Sequence, residues 1–171
     1  MQLLSRPAHD DPADPLALLL ACHERIERHL DGLGELAAVQ DLDDPRIPPT
    51  VDALRRYFSE GLPLHGQDED LSLTPRLLAL GPDPELEALL SRMHAEHVQM
   101  DEALPDLLHL LSLVLEGDEL ALPHLMSHHA MLSLLLRDHM AMEEATIFPR
   151  IQALPEAERC AIVLEIRARR A

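Results

Sequence analysis

Tryptophan is absent from this sequence, and Tyr57, Phe58 and Phe148 are its only aromatic side chains besides histidine. With 47% of the residues apolar, the core has to be built from Leu, Ala, Met and Val, a composition that favours helices over sheets. Cysteine is equally scarce. Cys22 and Cys160 make neither a disulfide framework nor a cysteine-based zinc pattern, so reduced thiols are expected. No apolar stretch is long enough to cross a bilayer, the longest covering residues 16–22. The N-terminus shows no basic region followed by an apolar segment, and a soluble, cytoplasmic chain is expected. Positive charge is the last deficit, with 31 acidic against 14 basic residues and a net charge of −17. No basic stripe is on offer to phosphates, which argues against nucleic acid or an anionic membrane surface as a partner.

What is present is helical punctuation. Residues 1–13, rich in Asp and Pro without periodicity, read as a flexible arm. Asp14 and Pro15 then carry an N-cap signature and open a first helix reaching about Val39, with Leu16, Leu19, Leu20, His23, Ile26, Glu27 and Leu30 on its inner face. After a loop over residues 41–49, a second helix runs to about Glu60, and Gly61, Pro63 and Gly66 predict a kinked backbone around His65. Thr74, Pro75, Gly81 and Pro82 mark the next connection. Asp83 and Pro84 repeat the cap signature for a third helix, bent at Pro105, which presents Leu86, Leu90, Met93, His97, Met100, Leu104, Leu108 and Leu111 on one face. A fourth helix extends from Asp118 to Phe148 and stops at Pro149. The expected architecture is an all-α, up-down four-helix bundle over residues 14–154. A short C-terminal fifth helix over residues 155–171 has Cys160, Val163, Leu164 and Arg167 on one side, covering an end of the bundle or making a dimer contact.

The fourth helix poses the chemical question. His139 and Glu143 stand four apart on a face that otherwise reads Leu132, Leu135 and Leu136, so both point inward. An unpartnered carboxylate among leucines costs several kcal/mol and has to be paired or given to a metal. Self-similarity supplies the partners. Residues 62–80 align without a gap on residues 136–154, so that His65 matches His139, Glu69 matches Glu143 and Pro75 matches Pro149, always 74 residues apart. Upstream the same offset pairs His23 with His97 and Glu27 with Asp101. Each half of the chain therefore brings one histidine on its first helix and a His-x-x-x-Glu on its second.

Inward side chains on facing helices of a bundle build metal sites. His23, His65, Glu69, His97, His139 and Glu143 are six donors, too many for one tetrahedral zinc. They suit two metals with two imidazoles each, if the carboxylates bridge and a solvent-derived oxo or hydroxo group completes the coordination. Iron accepts this donor set, and zinc, manganese and other divalent metals also fit it. Glu27 and Asp101 also follow a histidine by four, so spacing alone leaves them in play as ligands.

At these residues the chain resembles the hemerythrin-like (HHE cation-binding) domains. Their pattern is matched by His23, by His65 with Glu69, by Glu96-His97, and by His139 with Glu143-Glu144 and Phe148-Pro149. The resemblance covers roughly residues 14–154. It implies a non-haem di-iron centre that binds oxygen, nitric oxide or peroxide-like molecules, and it makes Glu27 and Asp101 neighbours of the site or surface residues. The third helix departs from that of the oxygen-carrying hemerythrins, because His94 precedes His97 by three residues and not four.

Around the six donors, His94 is a candidate extra ligand or hydrogen-bonded neighbour. Tyr57 faces the metals if the second helix stays regular, and otherwise is a buried tyrosine with a backbone partner. His128 lies too far along its helix to ligate, His29, His109, His124 and His129 read as surface or bundle-end residues, and Met93, Met100, Met140 and Met142 read as core filler. The expected function is binding or sensing of a small gas, or a role in iron, oxidative or nitrosative homeostasis. A peroxide-consuming or oxidase enzyme and a metal store or sensor are the alternatives.

Overall fold

The computed structural model describes residues 14–171, and every regular element among them is helical. The expected arm over residues 1–13 lies outside the described residues. Among the described residues, no helix is long and apolar enough to cross a membrane.

The first helix, α1 (Pro15–Ala37), is capped by Asp14, whose carboxylate accepts from the Leu16 N–H at 3.2 Å. A helical run from Ile47 to Leu78 follows, made of α2 (Ile47–Arg56), a π turn (Tyr57–Gly61), α3 (Leu62–Gln67), a second π turn (Asp68–Leu73) and α4 (Thr74–Leu78). The third long element, α5 (Pro84–Leu115), is capped by Asp83 at 3.1 Å from the Leu86 N–H. The fourth comprises α6 (Ala121–Met142), a third π turn (Glu143–Ile147) and a 3-10 segment (Phe148–Ala153). Helix α1 packs on α2 and α6, and α5 packs on the same two, which closes a four-helix bundle. Gly34 lets α1 approach α6, since a Cβ there would lie 2.8 Å from the His129 ring.

Two expected boundaries are corrected. The second helix does not end near Glu60 with a connection from Thr74, and the fourth does not stop at Pro149. Both pass their prolines by the same device. The Leu62, Thr74 and Phe148 N–H groups bond to the carbonyls of Tyr57, Glu69 and Glu143, five residues back, and Pro63, Pro75 and Pro149 come next. A proline ring collides with the carbonyl four residues earlier and supplies no N–H. One wide turn moves that carbonyl aside, and the helix continues. Pro105 is tolerated without such a turn inside α5. The carbonyl it deprives belongs to Asp101, which is exposed and can bond water.

The apolar core is in two parts. Ile26, Leu30, Leu54, Phe58, Met100, Leu107, Leu136 and Met140 belong to one cluster, and Leu19, Leu77, Leu90, Met93, Met142, Ile147, Phe148 and Ile162 to the other. On the first three long elements the inward histidines and glutamates stand between the clusters in sequence, and on the fourth His139 and Glu143 flank the boundary between Met140 and Met142. The four methionines are core residues, as expected.

The last helix, α7 (Glu156–Ala168), buries Ile162, Val163 and Ile166 against its own bundle. The expected face is corrected in part, because Cys160, Leu164 and Arg167 are exposed. Charge fastens this helix and the two arginines after it to α4 and the second π turn: Arg76 of α4 bonds Glu158 at 2.8 Å and Glu165 at 2.7 Å, and Arg169 and Arg170 both bond Asp68 of the turn, which is fully buried. Removing one partner of a buried pair strands the other charge. Asp68→Ala is therefore expected to cost roughly 2–4 kcal/mol, read as a lower denaturation midpoint. Arg46→Ala, which breaks a surface pair with Asp44, should leave the midpoint where it is.

Candidate metal centre

Helix α1 supplies His23, α3 supplies His65, the second π turn Glu69, α5 His97, α6 His139 and the third π turn Glu143. The fold brings all six together, and none is more than 7% exposed. Glu69 Oε1 lies 3.5 Å from His65 Nε2 and 4.0 Å from His23 Nε2, while its other oxygen is 3.2 Å from His97 Nε2. Glu143 Oε1 lies 2.9 Å from His139 Nε2 and 4.0 Å from His97 Nε2, with Oε2 at 3.2 Å from His23 Nε2. His97 and His139 point their Nε2 atoms at one another at 3.1 Å.

These atoms form two four-donor groups, each within 4.8 Å: His23, His65, Glu69 and Glu143, and His97, His139, Glu69 and Glu143. Each group takes both of its imidazoles from one half of the internal repeat, and both glutamates belong to both groups. All four glutamate oxygens and the Nε2 atoms of His23 and His65 are buried without an aligned hydrogen bond among the described residues. Close approach without hydrogen-bond alignment fits atoms that share a cation, and orphaned buried polar atoms are too costly to keep otherwise.

The electrostatics agree. Burial, reinforced by the charge of Glu143, pushes the Glu69 carboxyl well above its ordinary value. Burial also opposes ionisation of Glu143, but the imidazoles of His139 and His23 outweigh it and hold that carboxyl low. His139 is raised against its burial by Glu143, and burial drives His65 down to about 3. Two carboxylates this close cannot both carry charge cheaply without a cation between them.

A ring of carboxylates, which spacing did not single out, orients the histidines from behind. His23 Nδ1 donates to Glu144 at 2.7 Å, and His139 Nδ1 donates to Glu96 at 2.8 Å. His97 Nδ1 lies 3.2 Å from Asp70 Oδ1, an ion-pair contact short of a well-aligned hydrogen bond. Such partners set the tautomer that leaves Nε2 free to ligate. The repeat offset carried the signal, since Asp70 and Glu144 are 74 residues apart.

The other candidates stand further out. His94 is exposed and bonds the second oxygen of Asp70 at 2.9 Å, which makes it a buttress outside both donor groups. Glu27 pairs with Arg137 at 2.9 Å, and Asp101 is exposed. Tyr57, the first residue of the first π turn, is in neither donor group. It stacks on His29 with ring centroids 3.6 Å apart, and burial raises its hydroxyl above the usual value. His29 and His129 are half-buried, and His128 Nε2 donates to the Ala103 carbonyl at 3.1 Å.

Glu96→Gln and Glu144→Gln keep the side-chain shape and remove the charge behind an imidazole. Each should weaken retention of a transition metal about 10–100-fold, measured by competition with a chelator. Unchanged retention would show that these carboxylates do not orient the donors.

A relative from Haemophilus influenzae, described as an uncharacterized protein, is 27% identical over 104 residues, which covers 60% of this chain and 59% of the relative. A family model, the hemerythrin HHE cation binding domain, matches residues 14–159. That match takes in all four bundle helices and every member of both donor groups, and the chain belongs to the hemerythrin HHE cation-binding domain family.

Proposed function

We propose that this protein holds two iron ions and binds a diatomic gas, oxygen or nitric oxide, in iron, oxygen or nitric oxide homeostasis. The observation that carries this reading is the pair of overlapping four-donor groups that share both buried glutamates. His23 and His65 would hold one ion, His97 and His139 the other, with Glu69 and Glu143 spanning both. Iron held by such a set, with a solvent-derived oxo or hydroxo group completing it, would supply reversible redox chemistry and a place for a small ligand.

The protein's own groups do the rest. Asp70, Glu96 and Glu144 hold three imidazoles with Nε2 directed inward. Phe148, 1% exposed, stacks on His23 with centroids 5.1 Å apart and keeps water from that side. Between α3, α5 and α6 lies a cavity of about 90 Å³, bordered by His97, His139, Leu62, Met100 and Leu136. It has room for a two-atom ligand and falls well short of the roughly 300 Å³ at which ordinary metabolite pockets begin. All six candidate donors come from one chain.

Protein isolated aerobically from iron-rich medium should contain about two irons per chain, as the six-donor set requires, and show near-ultraviolet oxo-bridge absorption that changes on adding nitric oxide to the reduced form. Folded protein without metal would refute the reading. Glu143→Ala should lose metal, whereas Glu27→Ala should keep it. The reverse outcome would move the metal to the other carboxylates.

A further inference from the structure

Three of the four inward histidines have a carboxylate of the chain behind Nδ1: Glu144 for His23, Asp70 for His97 and Glu96 for His139. His65 has none, and its Nδ1 is buried without a hydrogen-bond partner among the described residues. The internal repeat explains the gap. His139 takes its carboxylate from Glu96, and the residue 74 positions earlier, which should serve His65, is Cys22. A thiol is shorter than a glutamate and carries no fixed charge, and Cys22 makes no hydrogen bond to His65. Its sulfur accepts instead from Arg25 at 3.5 Å and Arg170 at 3.7 Å.

Where a carboxylate would stand, a cavity of about 450 Å³ opens, bordered by Cys22 and His65 on the bundle side. Arg25, Arg56 and Arg170 line it against a single acidic side chain, Glu60. In a chain of net charge −17 this is an unusual concentration of positive charge. Arg170 is engaged with Asp68, but Arg25 and Arg56 form no ion pair with a carboxylate among the described residues. The stacked rings of His29 and Tyr57, with Leu64 and Ala53, give the same cavity apolar walls.

We propose that this cavity binds a small organic carboxylate with an apolar body. Its carboxylate accepts from His65 Nδ1 and pairs with the Arg25 and Arg56 guanidinium groups, while its apolar part lies against the His29–Tyr57 stack. Guanidinium forks match a carboxylate in geometry as well as charge, and a volume of this size is in the range of small-molecule sites. The ligand completes, from outside the chain, the carboxylate ring that the chain builds for its other three histidines. It thereby acts on the metal held by His65, as carboxylates behind ligating imidazoles do. This last consequence rests on the di-iron reading, whereas the cavity and its arginines do not.

Benzoate is the probe, titrated calorimetrically into the full-length, metal-loaded chain whose metal content is measured on the same sample. The expected result is one saturable site per chain and a change in the metal-centre absorption on binding. The double variant Arg25→Gln/Arg56→Gln should weaken binding at least about tenfold, a change of ~1.4 kcal/mol. Cys22→Glu, which restores a carboxylate from the chain itself, should abolish benzoate binding and keep the metal. Should that variant fail to fold, the arginine variant decides alone. No saturable binding, binding undiminished in the arginine variant, or inorganic phosphate bound as tightly as benzoate would each overturn the proposal. A metal-loaded sample that ignores benzoate fails this inference only. A sample without metal fails the di-iron reading, and benzoate binding is still scored through the arginines.

Discussion

Two carboxylates, Glu69 and Glu143, are fully buried within reach of four imidazoles and close to each other. That arrangement is the constraint on which the rest of the molecule turns. Each carboxylate alone in an apolar core would cost several kcal/mol, an appreciable part of the stability of a domain this size. The bundle therefore has to bring imidazoles to them from every helix, fix those imidazoles from behind, and close apolar layers above and below. Leu19 and Ile26, on either side of His23, belong to the two different core clusters, so the polar layer is sealed at both ends.

The π turns tie backbone to chemistry. Glu69 and Glu143 lend their carbonyls to the wide turns that let the helices run past Pro75 and Pro149. Their side chains serve the donor groups at the same positions. A regular α-helix would collide with the proline ring one turn after the carboxylate. The turn before Pro75 is also where the C-terminal helix is anchored, through Asp68 within the turn and Arg76 of α4 just after it, so that helix braces the segment that holds Glu69. The residues matched to the HHE family include every member of both donor groups. Arg169 and Arg170, which hold Asp68, lie beyond the matched residues 14–159.

The internal repeat makes the centre nearly symmetric, and its one lapse is informative. Asp70 and Glu144 occupy matching positions and each stands behind a histidine, whereas Glu96 has Cys22 as its counterpart. His65 is thus the one imidazole of the four with no carboxylate behind it among the described residues, and the larger cavity opens there. His94 sits on the third helix at a spacing that invites a ligand role, yet its ring turns outward to Asp70. Position along a helix says which face a residue occupies, not which of two neighbouring acids it will meet.

The helical class, the duplicated helix pairs and the six inward His and Glu were legible in the sequence, because helical periodicity and a constant offset of 74 residues are one-dimensional signals. The passage of helices through Pro75 and Pro149 was not, since a proline reads as a stop until a neighbouring helix rewards continuation by packing, and the wide turn before Pro63 was legible only as a kink. The buried face of α7 was legible only at Val163, and Ile162 and Ile166 are inside because of where the bundle lies. Tertiary structure alone decided how the donors divide into two groups, which carboxylate backs which histidine, and that His65 is left without one. Those facts depend on distances between helices far apart in the chain, and no local pattern encodes them.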